Sequence, residues 1–143
     1  MVHSRNKGAR GEREVMDALN KVIEEIVGEN AKFFSFVQRN AQQFASGGSD
    51  LINTLDFEIE VKFCETLNLN AWWEQVTTNA TKTGKEPVLV YRQSRKPWRV
   101  RMYGTPIIAM KKGIEHELTE PAEFDFETFL AIFRQVFEKS LTS

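Results

Sequence analysis

Phe57-Glu58-Ile59-Glu60-Val61-Lys62-Phe63 alternates apolar and charged residues without a break. A period of two is typical of a β-strand, because successive side chains point to opposite faces of a sheet. The pattern therefore predicts a strand whose apolar side chains face a core and whose charged side chains share the other face: Glu58, Glu60 and Lys62. Of these three, Glu58 is expected to be merely exposed.

A further carboxylate precedes this strand in the segment Gly48-Ser49-Asp50-Leu51. Residues from Asp50 to Thr54 are interpreted as an adjoining strand, joined to the first by a tight turn. Carboxylates from two neighbouring strands can hold a hard divalent cation, and oxygen ligands favour Mg²⁺ or Mn²⁺ over zinc. Lys62 would then reach a phosphate or the attacking water. The alternatives are an ion-paired exposed strand face and an Asp50 that only caps a turn.

Length and composition limit the classes of protein to consider. A chain of 143 residues is expected to form one domain, residues 1–143, with a single core. No apolar run is long enough to span a bilayer, and the polar N-terminal segment does not resemble a signal peptide. Cys64 is the only cysteine, which excludes an intramolecular disulfide and a cysteine-based zinc site. We therefore expect no membrane association and a cytoplasmic, intracellular location.

The charge is unevenly distributed along the chain, although the formal net charge is only -1. Residues 82–112 carry nine basic side chains against one acid, whereas residues 113–143 carry seven acids and two bases. A local basic surface can bind phosphates when a distant acidic segment balances it. This distribution favours a nucleic-acid partner, and a solvated basic hairpin is the alternative.

Hydrophobic periodicity predicts helices near residues 8–27, 69–81 and 124–141. Further strands are predicted at 33–39, 88–91 and 98–103, and residues 40–48 form a polar loop that is expected to be mobile. The order helix, three strands, helix, two strands, helix predicts an α/β fold, a three-layer sandwich with a mixed central β-sheet flanked by helices.

The segment Lys7-Gly8-Ala9-Arg10-Gly11-Glu12-Arg13-Glu14 resembles the opening of the archaeal and phage Holliday junction resolvases. These belong to the PD-(D/E)XK nuclease superfamily, with its restriction-endonuclease-like fold. The order and spacing of the motifs carry the resemblance across most of the chain. The resemblance implies four catalytic residues: Glu12, Asp50, Glu60 and Lys62. It also implies metal ligation by Glu12, Asp50, Glu60 and the Val61 carbonyl.

The predicted DNA-binding residues come from the same resemblance and from the basic strand: Arg13, Arg39, Ser49, Gln75, Arg99 and Arg101. The family implies an endonuclease that cuts four-way DNA junctions, leaves 5′-phosphate and 3′-hydroxyl ends and could be encoded by a phage. Because a junction needs two nearly symmetric cuts, we expect a two-fold homodimer, with Mg²⁺ or Mn²⁺ and no nucleotide cofactor. Two alternatives stay open. One is a phage nuclease acting on flaps or duplex DNA, and the other is an inactive DNA-binding module. Trp72 and Trp73 could stack on an exposed base or form a dimer surface, with one of them in the core.

Overall fold

The computed structural model describes residues 2–40, 49–104 and 121–142, with side chains from residue 7 onward. Most of the predicted loop at 40–48 and the basic pair Lys111 and Lys112 therefore lie outside the described residues. The described elements, in chain order, are α1 (Val2–Val27), a 3₁₀ helix (Gly28–Phe33), β1 (Gln38–Arg39), β2 (Leu51–Ile52), β3 (Phe57–Phe63), α2 (Leu69–Thr83), β4 (Glu86–Arg92), β5 (Arg99–Tyr103), β6 (Pro121–Asp125) and α3 (Phe126–Ser140).

A mixed four-stranded sheet in the order β3-β4-β5-β6 forms the centre of the fold. β3 and β4 run parallel, with α2 as the crossover between them, and the remaining pairs are antiparallel. α1 and α3 pack on one face of the sheet, in a core that includes Leu19, Ile59 and Phe129. α2 covers the other face, where its Val76 lies in a buried cluster with Leu89 of β4. The predicted three-layer α/β sandwich with a mixed sheet is confirmed.

Gly11 explains how α1 comes close enough to the sheet to place its acidic residues. A Cβ atom at this position would lie 3.0 Å from Phe63 Cβ and 3.2 Å from Trp98 Cη2. Only a residue without a side chain fits this approach without displacing a neighbour. Glu12, the next residue, is thereby brought toward the edge of the sheet.

The first two strands differ from the prediction. Residues 28–33 form a 3₁₀ helix, and β1 contains only Gln38 and Arg39. β2 is equally short and pairs with β1 rather than with β3. The positive φ angles of Asn53 (64°) and Leu55 (58°) end β2, because an extended strand cannot continue through left-handed backbone.

The strand β6 was not predicted, and the predicted helix at 124–141 was placed two residues too early. Asp125 caps α3, accepting a 2.7 Å hydrogen bond from the Thr128 backbone N–H, and Phe124 belongs to β6. Two acidic residues and a proline in five positions give a weak strand signal. Pairing with β5 stabilises this strand instead.

β3 is buried on both faces, so the expectation that Glu58 is exposed is wrong. Glu58 and Glu60 are each 2% exposed because α2 covers their side of the sheet. Thr83 Oγ1 donates a 2.8 Å hydrogen bond to Glu58 Oε1, which compensates part of the cost of burying that carboxylate. Among the described helices, none is both long and apolar enough to cross a membrane.

Candidate active site

Asp50 connects the small two-stranded sheet to the edge of β3 that faces away from β4. Its side chain is nearly buried, and Oδ2 accepts a 2.8 Å hydrogen bond from the Val61 backbone N–H. The N–H and C=O of one strand residue point to the same edge, so the Val61 carbonyl also faces Asp50. This contact, eleven residues along the chain, goes beyond the capping of a local turn. It brings the carboxylate of Asp50 to the strand that carries Glu60 and Lys62.

Glu60 lies beneath α2, and its two carboxyl oxygens have different surroundings. Oε1 accepts a 2.9 Å hydrogen bond from Gln75 Nε2, and Lys62 Nζ lies 3.7 Å from the same oxygen. Oε2 is buried and has no hydrogen-bond partner among the described residues. Burial raises the pKa of Glu60 to about 8; Asp50 acts in the same direction and Lys62 opposes it. A cation bound at Oε2 would oppose this rise in the pKa of Glu60.

Glu12 extends the acidic cluster from the helical side. Its carboxyl shares a hydrogen bond with Asp50, and Oε1 accepts a 2.9 Å hydrogen bond from Arg39 Nε. Burial raises the pKa of Glu12, and Asp50 raises it further, while Arg39 lowers it. Asp50 therefore lies close to both Glu12 and Glu60 and disfavours the ionisation of each.

The donor set fits a hard divalent cation. Asp50, Glu60 and the Val61 carbonyl are all oxygen donors, which Mg²⁺ and Mn²⁺ prefer. One of these oxygens, Oε2 of Glu60, has no hydrogen-bond partner among the described residues and could take such a ligand role. Within the described ranges, no group of three or more Asp, Glu, His or Cys side chains is arranged to hold a metal. Metal ligation by Asp50, Glu60, the Val61 carbonyl and Glu12 therefore stays a prediction.

Most of the predicted site residues lie together, and a few lie apart. Glu12, Arg39, Asp50, Glu60, Lys62 and Gln75 form one connected cluster. Ser49 adjoins it, although its Oγ donates to the Leu51 carbonyl at 2.8 Å. Arg13 is exposed on α1, one residue after Glu12.

Arg99 and Arg101 lie farther away, on β5. They point to the same sheet face as Lys62, with Arg99 exposed. Arg101 Nε forms a 2.6 Å ion pair with Glu123, which also accepts a 2.8 Å hydrogen bond from the Tyr91 hydroxyl. The guanidinium of Arg101 is thus already engaged within the sheet.

Asn40 is a site residue that sequence reasoning missed. Its Nδ2 donates to the Ser49 carbonyl and its backbone N–H donates to the Asp50 carbonyl, both at 2.9 Å. These two bonds join Asn40 to the backbone of Ser49 and Asp50 and so position Asp50. Its place beside Arg39 in a polar segment was the only available signal, and that signal is not specific.

Comparison with known proteins places the chain among nucleases. Residues 3–129 match the family described as "Phage putative PDDEXK endonuclease". No curated protein matches the chain. Among solved structures, Hjc from Archaeoglobus fulgidus, a Holliday junction resolvase from an archaeal hyperthermophile, is similar, with 23% identity, 85% of each chain covered and a TM-score of 0.44. Since the family match covers most of the sequence, the chain belongs to the phage PD-(D/E)XK endonuclease family.

Proposed function

We propose that this protein is a divalent-metal-dependent endodeoxyribonuclease that cuts branched DNA, with the four-way junction as its preferred substrate. The observation that carries the proposal is that Asp50 and Glu60 lie together at β3, with Lys62 beside them. Glu60 is buried, and among the described residues only one of its two oxygens has a hydrogen-bond partner. Membership of an endonuclease family supports hydrolysis. The order of the sequence motifs, which resembles that of junction resolvases, supports the choice of branched DNA.

Each residue of the cluster has a distinct role in the proposed reaction. Asp50, Glu60 and the Val61 carbonyl would hold Mg²⁺ or Mn²⁺, which when bound supplies Lewis-acid activation of the phosphate. Lys62 would hold the attacking water or a non-bridging phosphate oxygen. Arg39, part exposed at the rim of the cluster, would bind an adjacent phosphate.

The reaction itself is an in-line displacement at phosphorus. The oxygen of water forms a bond to phosphorus while the bond to the 3′-oxygen breaks. The 3′-oxygen takes up a proton, and the water proton passes to solvent or to a basic group of the site. The products are 5′-phosphate and 3′-hydroxyl ends, as the resemblance implies. No nucleotide cofactor takes part in this scheme.

A homodimer is the economical arrangement for this substrate. Resolving a four-way junction requires two symmetric cuts, and a two-fold dimer supplies two equivalent sites. A phage-family nuclease of this kind would work in the cytoplasm of the infected cell. Action on flaps or duplex is the second candidate, and it is compatible with membership of an endonuclease family.

The test is to incubate the protein and Mg²⁺ with a labelled mobile four-way junction, a flap and a matched duplex, and to map every cut. We expect paired symmetric cuts in the junction at a rate well above duplex cleavage. Equal rates on all three would favour the second candidate. No cleavage with Mg²⁺ or Mn²⁺, despite junction binding, would indicate a DNA-binding module and contradict the nuclease assignment.

A further inference from the structure

Two half-buried indoles lie across the sheet face beside the proposed catalytic lysine. Val76 and Ala80, farther along α2, are almost completely buried, whereas Trp72 and Trp73 are only partly covered. Tryptophan has the largest apolar surface of any side chain, and the uncovered part of each indole is available for a further contact.

The Trp72 ring lies near both Lys62 on β3 and Tyr91 on β4. Lys62 Nζ is 6.0 Å from its ring centre, and the ring centres of Trp72 and Tyr91 are 6.5 Å apart with the planes inclined at 49°. One helical turn later, Gln75 holds Glu60. The same stretch of helix therefore carries an aromatic surface and a polar contact to the proposed metal ligand.

Trp73 continues this surface away from the cluster. It packs edge-on against Tyr103 on β5, with ring centres 5.2 Å apart. Arg99 and Arg101 occupy the same face of β5 as Tyr103, because alternate residues of a strand share one face. The aromatic surface thus extends from Lys62 toward two arginines, a combination suited to a nucleotide chain with its bases and phosphates.

We propose that Trp72 stacks on an unpaired base next to the scissile phosphate, so that this nuclease selects DNA whose strand is unstacked at the cut. The inference rests on the proposed function. A phosphate held by Lys62 places the adjoining nucleotide against the neighbouring indole. In an intact duplex each base is already stacked on its neighbours, so the indole gains a partner only at a branch point, a flap base or a single strand.

Trp72→Leu separates stacking from simple burial, because leucine keeps an apolar cover on Val76 and Tyr91 without an aromatic face. Binding is measured by fluorescence anisotropy in EDTA, with a labelled single strand and with the same strand in a duplex. We expect the variant to lose at least about fivefold in affinity for the single strand and to bind the duplex as the wild type does. Trp72→Phe should retain most of the single-strand affinity.

The matched control is Trp98→Leu, which alters another half-buried tryptophan packed between Phe63 and Phe126 on the opposite face of the sheet. It should leave the ratio of single-strand to duplex affinity unchanged.

A second measurement needs no variant. Photocrosslinking of a bromodeoxyuridine-containing single strand to the wild-type protein should label Trp72.

Three results would overturn the proposal. In the first, Trp72→Leu loses the same affinity for the single strand and for the duplex. In the second, it loses affinity for neither, and the wild type shows no crosslink at Trp72; in the third, the variant changes its oligomeric state without a change in DNA selectivity. The last result would assign the indole to a subunit interface. None of these readouts depends on cleavage, so an inactive protein whose Trp72 still selects single strands would contradict the nuclease assignment alone. A protein that cuts junctions with an indifferent Trp72 would contradict only this inference.

Discussion

Gln75 Nε2 donates a 2.9 Å hydrogen bond to Oε1 of Glu60, so a residue of α2 orients the carboxylate of a β3 residue. The other oxygen of Glu60 is buried and has no partner among the described residues. Gln75 therefore fixes one oxygen of the carboxylate and leaves the other as the proposed metal ligand. The effects of altering each partner follow from this arrangement.

Gln75→Ala should lower the apparent affinity for Mg²⁺, or the cleavage rate at fixed Mg²⁺, by about 10- to 100-fold, the usual cost of losing a residue that orients a metal ligand. Raising the Mg²⁺ concentration should recover part of the activity. The control is Gln135→Ala, which removes an exposed glutamine from α3. A Mg²⁺ titration of junction cleavage that is the same for both variants would show that the Gln75 contact does not support the site.

The raised pKa of Glu60 predicts how stability depends on pH when no metal is bound. Its pKa rises from an ordinary value of 4.5 to about 8 in the folded protein, so the folded state holds a proton that the unfolded state releases. The contribution of Glu60 to the free energy of unfolding in EDTA should therefore be largest below pH 4.5 and should fall as the pH rises toward 8. Glu60→Gln should remove much of this decline.

Added Mg²⁺ should raise the stability of the wild type most at the upper end of this range, because the cation replaces the proton on Glu60. Urea unfolding at several pH values, with EDTA or with Mg²⁺, measures both effects. Wild-type stability that rises between pH 5 and pH 8 in EDTA, or an equal Mg²⁺ effect on wild type and Glu60→Gln, would contradict the assignment.

Arg39 and Glu12 should act as a pair, since their side chains are joined by a 2.9 Å hydrogen bond at the rim of the site. Arg39→Ala should weaken junction binding and also slow cleavage at saturating DNA, because Glu12 loses a contact that stabilises its ionised form. Arg134→Ala is a suitable control, as it breaks an ion pair between Arg134 and Glu25 on other helical surfaces. Binding by anisotropy in EDTA and single-turnover cleavage separate the two effects. Identical results for the two variants would remove Arg39 from the DNA surface.

Gly11 and Gly8 form a matched pair for testing how α1 approaches the sheet. Alanine favours a helix by about 1 kcal/mol over glycine, so Gly8→Ala, with nothing within 4 Å of the new Cβ, should stabilise the protein. Gly11→Ala should cost about 1–3 kcal/mol, because its Cβ would meet Phe63 and Trp98. It should also slow cleavage by displacing Glu12. Thermal unfolding of both variants measures these changes in stability. If Gly11→Ala stabilised the protein, α1 could move away from the sheet without cost.

The strength of each local pattern explains which parts of the fold could be predicted. The strict alternation in Phe57–Phe63 gave β3 with its correct bounds, and the apolar spacing on α1 identified its buried face. β1, β2 and β6 were misplaced or missed. Their positions depend on pairing and on positive φ angles at Asn53 and Leu55, which composition does not reveal.

The candidate site could be predicted where a motif fixed the spacing between residues. Asp50, Glu60 and Lys62 lie together as their order along the chain suggested. The burial of Glu58 and the bracing of Asp50 by Asn40 were not predictable. Both depend on which elements pack over the strand edge, and that is decided by the tertiary structure.

Single-turnover cleavage of a four-way junction tests whether the buried carboxylates Asp50 and Glu60 form a divalent-metal site for phosphodiester hydrolysis. Asp50→Asn and Glu60→Gln should each slow cleavage in Mg²⁺ by more than about 100-fold, because several kcal/mol of charge stabilisation are lost. Both should bind the junction in EDTA as tightly as the wild type. Cleavage by either variant at a rate near that of the wild type would contradict the account.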